Sequence, residues 1–139
     1  MRNGASIEVR KTIPAPPEEV FRWWTEPALL ARWMAPRGYA EADVNLRVGG
    51  HHRIVMKDGE FSIDHFGDYV EIESPHRLVF TWNSRFTNGD SLVTVSLTPV
   101  GEGSTEVVIV HSGLPDKAAP SHAGGWGTML ERMLEELAA

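Results

Sequence analysis

The chain has six histidines and no cysteine in its 139 residues, so any acid–base or metal chemistry has to start from imidazole. Five of them fall in segments that read as strands, and three of these, His52, His65 and His111, are the candidates for chemistry. Over 50–57 a two-residue period puts His52, Ile54 and Met56 on one face and His51, Arg53 and Val55 on the other, and the first set is predicted to face inward. His65 lies on the next strand, where the Lys57-Asp58-Gly59 turn brings it within reach of His52. His111 alternates with Val107 and Ile109 and points the same way. Three converging imidazoles would have the composition of a zinc site, since the neutral ring is a good zinc ligand. The sequence lacks a spacing motif such as His-Glu-x-x-His, however, so internally satisfied histidines are expected and neither a metal nor another cofactor is. A catalytic use would need His52 or His65 tuned by Asp64 or Glu71. There is no Ser-His-Asp series, paired-carboxylate motif or phosphate-cradling loop, and Gly49-Gly50 reads as a tight hairpin turn.

Five tryptophans, Trp23, Trp24, Trp33, Trp82 and Trp126, supply large apolar walls with one donor each. They either fill the core or line a pocket. Trp82 and Trp126 are the pocket candidates, together with Met129 and Met133, whose flexible thioethers adapt to irregular ligands.

These side chains need a scaffold to position them. Hydrophobic residues make up 42% and charged residues 23%, an ordinary globular composition, and the length suits one domain over 1–139. The net charge of -6 argues against extended contact with nucleic acid, which needs a basic face. No apolar run approaches the roughly 18 residues of a membrane span, and Met1-Arg2-Asn3-Gly4 opens no signal-peptide pattern, so a cytoplasmic protein is expected. Without cysteine the fold has to stand on its packed core.

Residues 6–13 alternate as a strand. Pro17, followed by Glu18 and Glu19, opens a short helix through about residue 24, and a second begins near Pro27 and stops before Pro36-Arg37-Gly38. Six strands follow, over 39–47, 50–57, 60–73, 76–84, 91–98 and 104–112. Their turns include Val48-Gly49-Gly50, Lys57-Asp58-Gly59, Ser74-Pro75, Asn88-Gly89-Asp90 and Gly101-Glu102-Gly103, short enough to make neighbours antiparallel. Gly67 should mark a bulge or sharp bend in the long third strand. After Pro120, Trp126, Leu130, Met133 and Leu137 form the apolar stripe of a last helix, widened by Met129 and Leu134, while Glu131, Arg132, Glu135 and Glu136 face solvent. Gly124-Gly125 weakens the start of that helix.

This order of elements resembles the helix-grip fold of the START-like or SRPBCC superfamily, to which birch-pollen-allergen-type proteins belong. A narrower resemblance rests on Pro14-Ala15-Pro16-Pro17-Glu18-Glu19-Val20-Phe21, Leu30-Ala31-Arg32-Trp33-Met34, Leu46-Arg47-Val48-Gly49-Gly50, Gly67-Asp68-Tyr69-Val70-Glu71-Ile72, Pro75-His76-Arg77-Leu78-Val79-Phe80-Thr81-Trp82, His111-Ser112-Gly113-Leu114 and Gly125-Trp126. In this order they are similar to the motif series of the activator of heat-shock-protein ATPase homologue-like family. The resemblance implies an α+β fold in which a curved antiparallel sheet of about seven strands grips a long C-terminal helix, with two short helices between the first two strands. It also implies an apolar cavity between sheet and helix. Relatives usually carry an aromatic or aliphatic residue where this chain has His52, and His111, part of a family motif, is expected to anchor the turn into the last helix by bonding to backbone.

The function expected is binding of a small hydrophobic ligand, as carrier or sensor, through His52, Ile54, Met56, His65, Trp82, His111, Trp126, Met129 and Met133. Two alternatives stay open: an enzyme acting on such a ligand by histidine acid–base chemistry, and a chaperone-interaction module. The expected partner is the ligand, with a homodimer left open and neither nucleic acid nor membrane involved.

Overall fold

Ile7, Val9 and Ile13 alternate with polar neighbours and form the inner face of β1 (Ala5–Ile13). A computed structural model describes residues 4–87 and 89–138. Met1, Arg2 and Asn3 of the N-terminal tetrapeptide, Asn88 of the expected Asn88-Gly89-Asp90 turn, and Ala139 lie outside the described residues. Pro17 and Pro27 each open a short helix, α1 (Pro17–Thr25) and α2 (Pro27–Trp33). Proline suits that first position because its fixed φ is helical and the missing N–H would have no intrahelical acceptor. The Trp33 indole donates to the Trp23 carbonyl at 2.8 Å and ties the two helices together.

The remaining strands are β2 (Tyr39–Val44), β3 (His51–Asp58), β4 (Phe61–Glu73), β5 (Arg77–Trp82), β6 (Ser91–Val100) and β7 (Ser104–Leu114). They form one sheet in the order β1-β7-β6-β5-β4-β3-β2, and every neighbouring pair is antiparallel. β2 ends three residues before the expected 47. There the chain folds into a tight loop in which the Arg47 and Gly50 amides donate to the Asn45 and Arg47 carbonyls, and Gly49 takes a φ of 85°.

The bulge expected at Gly67 is displaced: the register of β4 against β5 shifts between Tyr69 and Glu71. Gly67 does something else. A Cβ there would sit 1.8 Å from the Thr81 carbonyl oxygen, so the residue lets β4 and β5 approach backbone to backbone.

A 3-10 turn at Asp116–Ala118 leads into α3 (Ala119–Ala138), which buries Trp126, Met129, Leu130 and Met133 against the sheet. Its polar face is less free than the sequence suggests. Glu131 pairs with Lys11 of β1, Glu136 pairs with Arg32 at 3.0 Å, and Arg132 donates to the Ala35 carbonyl at 2.8 Å. These contacts hold the C-terminal half of α3 to β1 and α2. The result is the α+β helix-grip architecture expected from the sequence. No helix among the described residues is long and apolar enough to cross a membrane.

Candidate functional site

The sheet and α3 do not close evenly. At the N-terminal half of the helix, facing the β3–β4 hairpin, lies a cavity of about 580 Å³, within the usual range for small-molecule sites. Ser121, His122, Gly125, Trp126 and Met129 border it from α3, Met56 and His65 from β3 and β4, and Trp82 from the end of β5. Trp82 and Trp126 form its floor, 2% and 1% exposed, with ring centroids 5.3 Å apart. Phe61 and Phe86 stand on the rim, 72% and 48% exposed.

The local sequence explains the gap. Positions 122, 125, 126 and 129 share one helix face, and glycine at 125 offers no side chain to fill the space. A Cβ built on Gly125 meets nothing within 4 Å. On the opposite wall Met56 pairs with Ile63 across the hairpin, and both border the cavity.

Five of the nine candidate residues meet here: Met56, His65, Trp82, Trp126 and Met129. The other four do not border the cavity. Ile54 and Met133 are buried core residues, and His52 faces Tyr69, Phe80 and Trp82. His111 is fully buried behind Trp126. Sequence reasoning missed His122, Gly125 and the rim residues Arg37, Phe61 and Phe86. Helical spacing around Trp126 and the alternation of Phe61, Ile63 and His65 carry the signal for most of them; the position of Arg37 after α2 carries none.

His111 is satisfied by side chains, which corrects the expected bond to backbone. The Trp126 indole N–H donates to Nδ1 at 3.0 Å, so Nδ1 is the acceptor and Nε2 carries the proton. Nε2 then donates to the Ser91 hydroxyl at 2.8 Å, and Ser91 donates onward to the Trp82 carbonyl. This directed chain joins α3, β7, β6 and β5 beneath the cavity. Burial, with smaller contributions from His122 and His65, holds the His111 pKa down at about 3, so the ring is neutral.

His52 donates from Nε2 to the Thr81 carbonyl at 2.9 Å, beside the close approach at Gly67. Burial lowers its pKa too. His65 packs on Trp82 with ring centroids 4.6 Å apart. Burial first, and the charge of His122 second, lower its pKa to about 4. The carboxylates proposed as tuning partners are engaged elsewhere. Asp64 takes a bidentate interaction from Arg53, because alternation sends it to the face opposite His65, and Glu71 accepts from Arg77 at 3.1 Å. No His, Asp or Glu cluster suited to holding a metal ion is found among the described residues.

Comparisons with known proteins agree with this architecture. A protein of Chromobacterium violaceum superposes with a TM-score of 0.82 at 28% identity, over 94% of this chain and 96% of the other. A protein of Rhodobacter sphaeroides gives 0.84 at 28%, over 97% and 94%. An HSP90 activator from Plasmodium falciparum gives 0.80 at 29%, over 97% of both chains. No curated protein matches the sequence. The sequence model described as activator of Hsp90 ATPase homolog 1-like protein matches residues 14–139, and the chain belongs to that family.

Proposed function

We propose that the protein binds a small, largely apolar molecule in the cavity between the β3–β4 hairpin and the N-terminal half of α3. The observation that carries this reading is the space itself: about 580 Å³ bordered by Trp82, Trp126, Met56, Met129 and Ile63. A solid core would have interdigitated these side chains, since protein interiors pack to crystal-like density. Exposed Phe61 and Phe86 extend the apolar surface outward and give an entering ligand a first contact. A carrier or sensor needs no more chemistry than this.

The test is saturable binding of the neutral fluorophore N-phenyl-1-naphthylamine, followed by its emission and by quenching of tryptophan. One-site binding is expected in the wild type. It should be lost in Gly125→Leu, which fills the space from the helix side, while the thermal melt of that variant stays cooperative. Absence of saturable binding in the wild type refutes the reading.

A second reading has its own support, the likeness to an HSP90 activator at 29% identity over 97% of each chain. In that reading the protein docks on a chaperone of that class. Titration of purified Hsp90 with measurement of its ATPase rate tests it, and an unchanged rate with no detectable complex rejects it.

A further inference from the structure

Among the polar groups bordering the cavity, one is enclosed with the apolar floor. Arg37, Asp58 and Ser121 are exposed at the rim, Lys57 is paired with Glu41 at 3.1 Å, and the Nδ1 of His122 is bonded to the Ala118 carbonyl at 2.8 Å. His65 is only 6% exposed. Its Nδ1 is sealed in without a close hydrogen-bond partner, and the backbone of Ile54 and Ile63 lies against the ring, which leaves Nε2 as the nitrogen to meet a ligand. Buried polar groups are nearly always partnered, so an unpaired imidazole nitrogen at the edge of an apolar cavity marks a point of recognition.

Building on the binding reading above, we infer that the ligand is an apolar molecule bearing one neutral hydroxyl group, and that this hydroxyl bonds to Nε2 of His65. A hydroxyl both donates and accepts, so it suits either tautomer of a neutral imidazole. A carboxylate suits the position poorly. The ring is neutral under ordinary conditions, its pKa lowered to about 4, and Trp82, Trp126 and Met129 beside it are apolar, so His122 on the cavity wall is the one nearby side chain that could offset an anion's charge there. The cations Arg37 and Lys57 border the cavity at less buried positions. Flat walls from two indoles favour an aromatic body, which makes a phenol-type compound a fitting probe.

Three probes of nearly equal size separate the outcomes: 2-naphthol, 2-methylnaphthalene and 2-naphthoate, titrated calorimetrically at neutral pH. 2-Naphthol should bind roughly three- to tenfold more tightly than 2-methylnaphthalene, the range that one net hydrogen bond supplies. The preference should disappear in His65→Leu and persist in His65→Gln, whose amide reaches a similar position. A readout on the wild type needs no variant to fold: the nitrogen NMR signal of His65 Nε2 should move on adding 2-naphthol and stay put on adding 2-methylnaphthalene. Equal affinities for these two overturn the hydroxyl inference while leaving the cavity reading intact. Tightest binding of 2-naphthoate overturns it in favour of an anion held by the rim cations. Failure of all three to bind removes the cavity reading itself.

Discussion

The indole N–H of Trp126 reaches Nδ1 of His111 at 3.0 Å and fixes the tautomer of a fully buried ring. The bond spans two elements, since Trp126 sits on α3 and His111 on β7. Trp126→Phe keeps most of the packing and removes the donor, leaving Nδ1 unpaired. It should cost about 1–3 kcal/mol, the penalty for stranding a buried polar atom. Trp126→Ala adds the loss of the ring and should cost about 3–5 kcal/mol. Urea unfolding measures both, and a loss below about 0.5 kcal/mol for the phenylalanine variant would show that the bond contributes nothing.

Stability should fall on acidification through the histidines. His65 and His111 have folded pKa values of about 4 and about 3, against 6.5 for the free side chain. Between about 6.5 and those values the unfolded chain takes up protons that the folded chain refuses. Stability is therefore full above about pH 6.5 and declines below it, by up to about 1.4 kcal/mol per pH unit for each ring. Comparing urea unfolding of wild type and His65→Gln at neutral pH and at about pH 4.5 isolates one ring. The variant should lose less stability on acidification, and parallel losses would contradict the assignment.

Met56 and Met133 should respond oppositely to enlargement. Met56 borders the cavity and is half-buried, whereas Met133 is fully buried in the core. Met56→Trp should change stability by less than about 1 kcal/mol and abolish saturable ligand quenching, while Met133→Trp should cost roughly 1–3 kcal/mol through overpacking. Comparable losses in the two variants would mean that the space at Met56 is not open to a side chain.

Gly67→Ala should be among the more damaging single-methyl additions in the sheet. Its Cβ would lie 1.8 Å from the Thr81 carbonyl oxygen and 2.8 Å from Nε2 of His52, so the strands must separate and the bond from His52 to Thr81 must stretch. A cost of about 1–3 kcal/mol is expected from such overpacking. Gly124→Ala, with nothing within 4 Å of the added carbon, should instead stabilise helix α3 by roughly 0.5–1 kcal/mol. Thermal melts that fail to separate the two variants would refute the close approach.

Much of this protein is written locally. Alternation and turn residues gave the antiparallel strand series, because side chains alternate along a strand and tight turns reverse it. Pro17 and Pro27 marked helix starts by their fixed φ, and the spacing of Trp126, Leu130 and Met133 marked the buried face of α3. Periodicity also put His52, Ile54 and Met56 on one inward face. It could not say how far from that face the opposing helix would lie. Tertiary structure set that distance: near Ile54 the sheet meets Trp24 and Met34, while near Met56 it faces Gly125 and a gap. His111 shows the same limit. Its inward direction follows from alternation, but its partners Ser91 and Trp126 lie 20 and 15 residues away in sequence, and only the folded chain brings them to its two nitrogens. Local sequence fixes which way a side chain points, whereas the packing of distant elements decides whether it meets a neighbour or an open space.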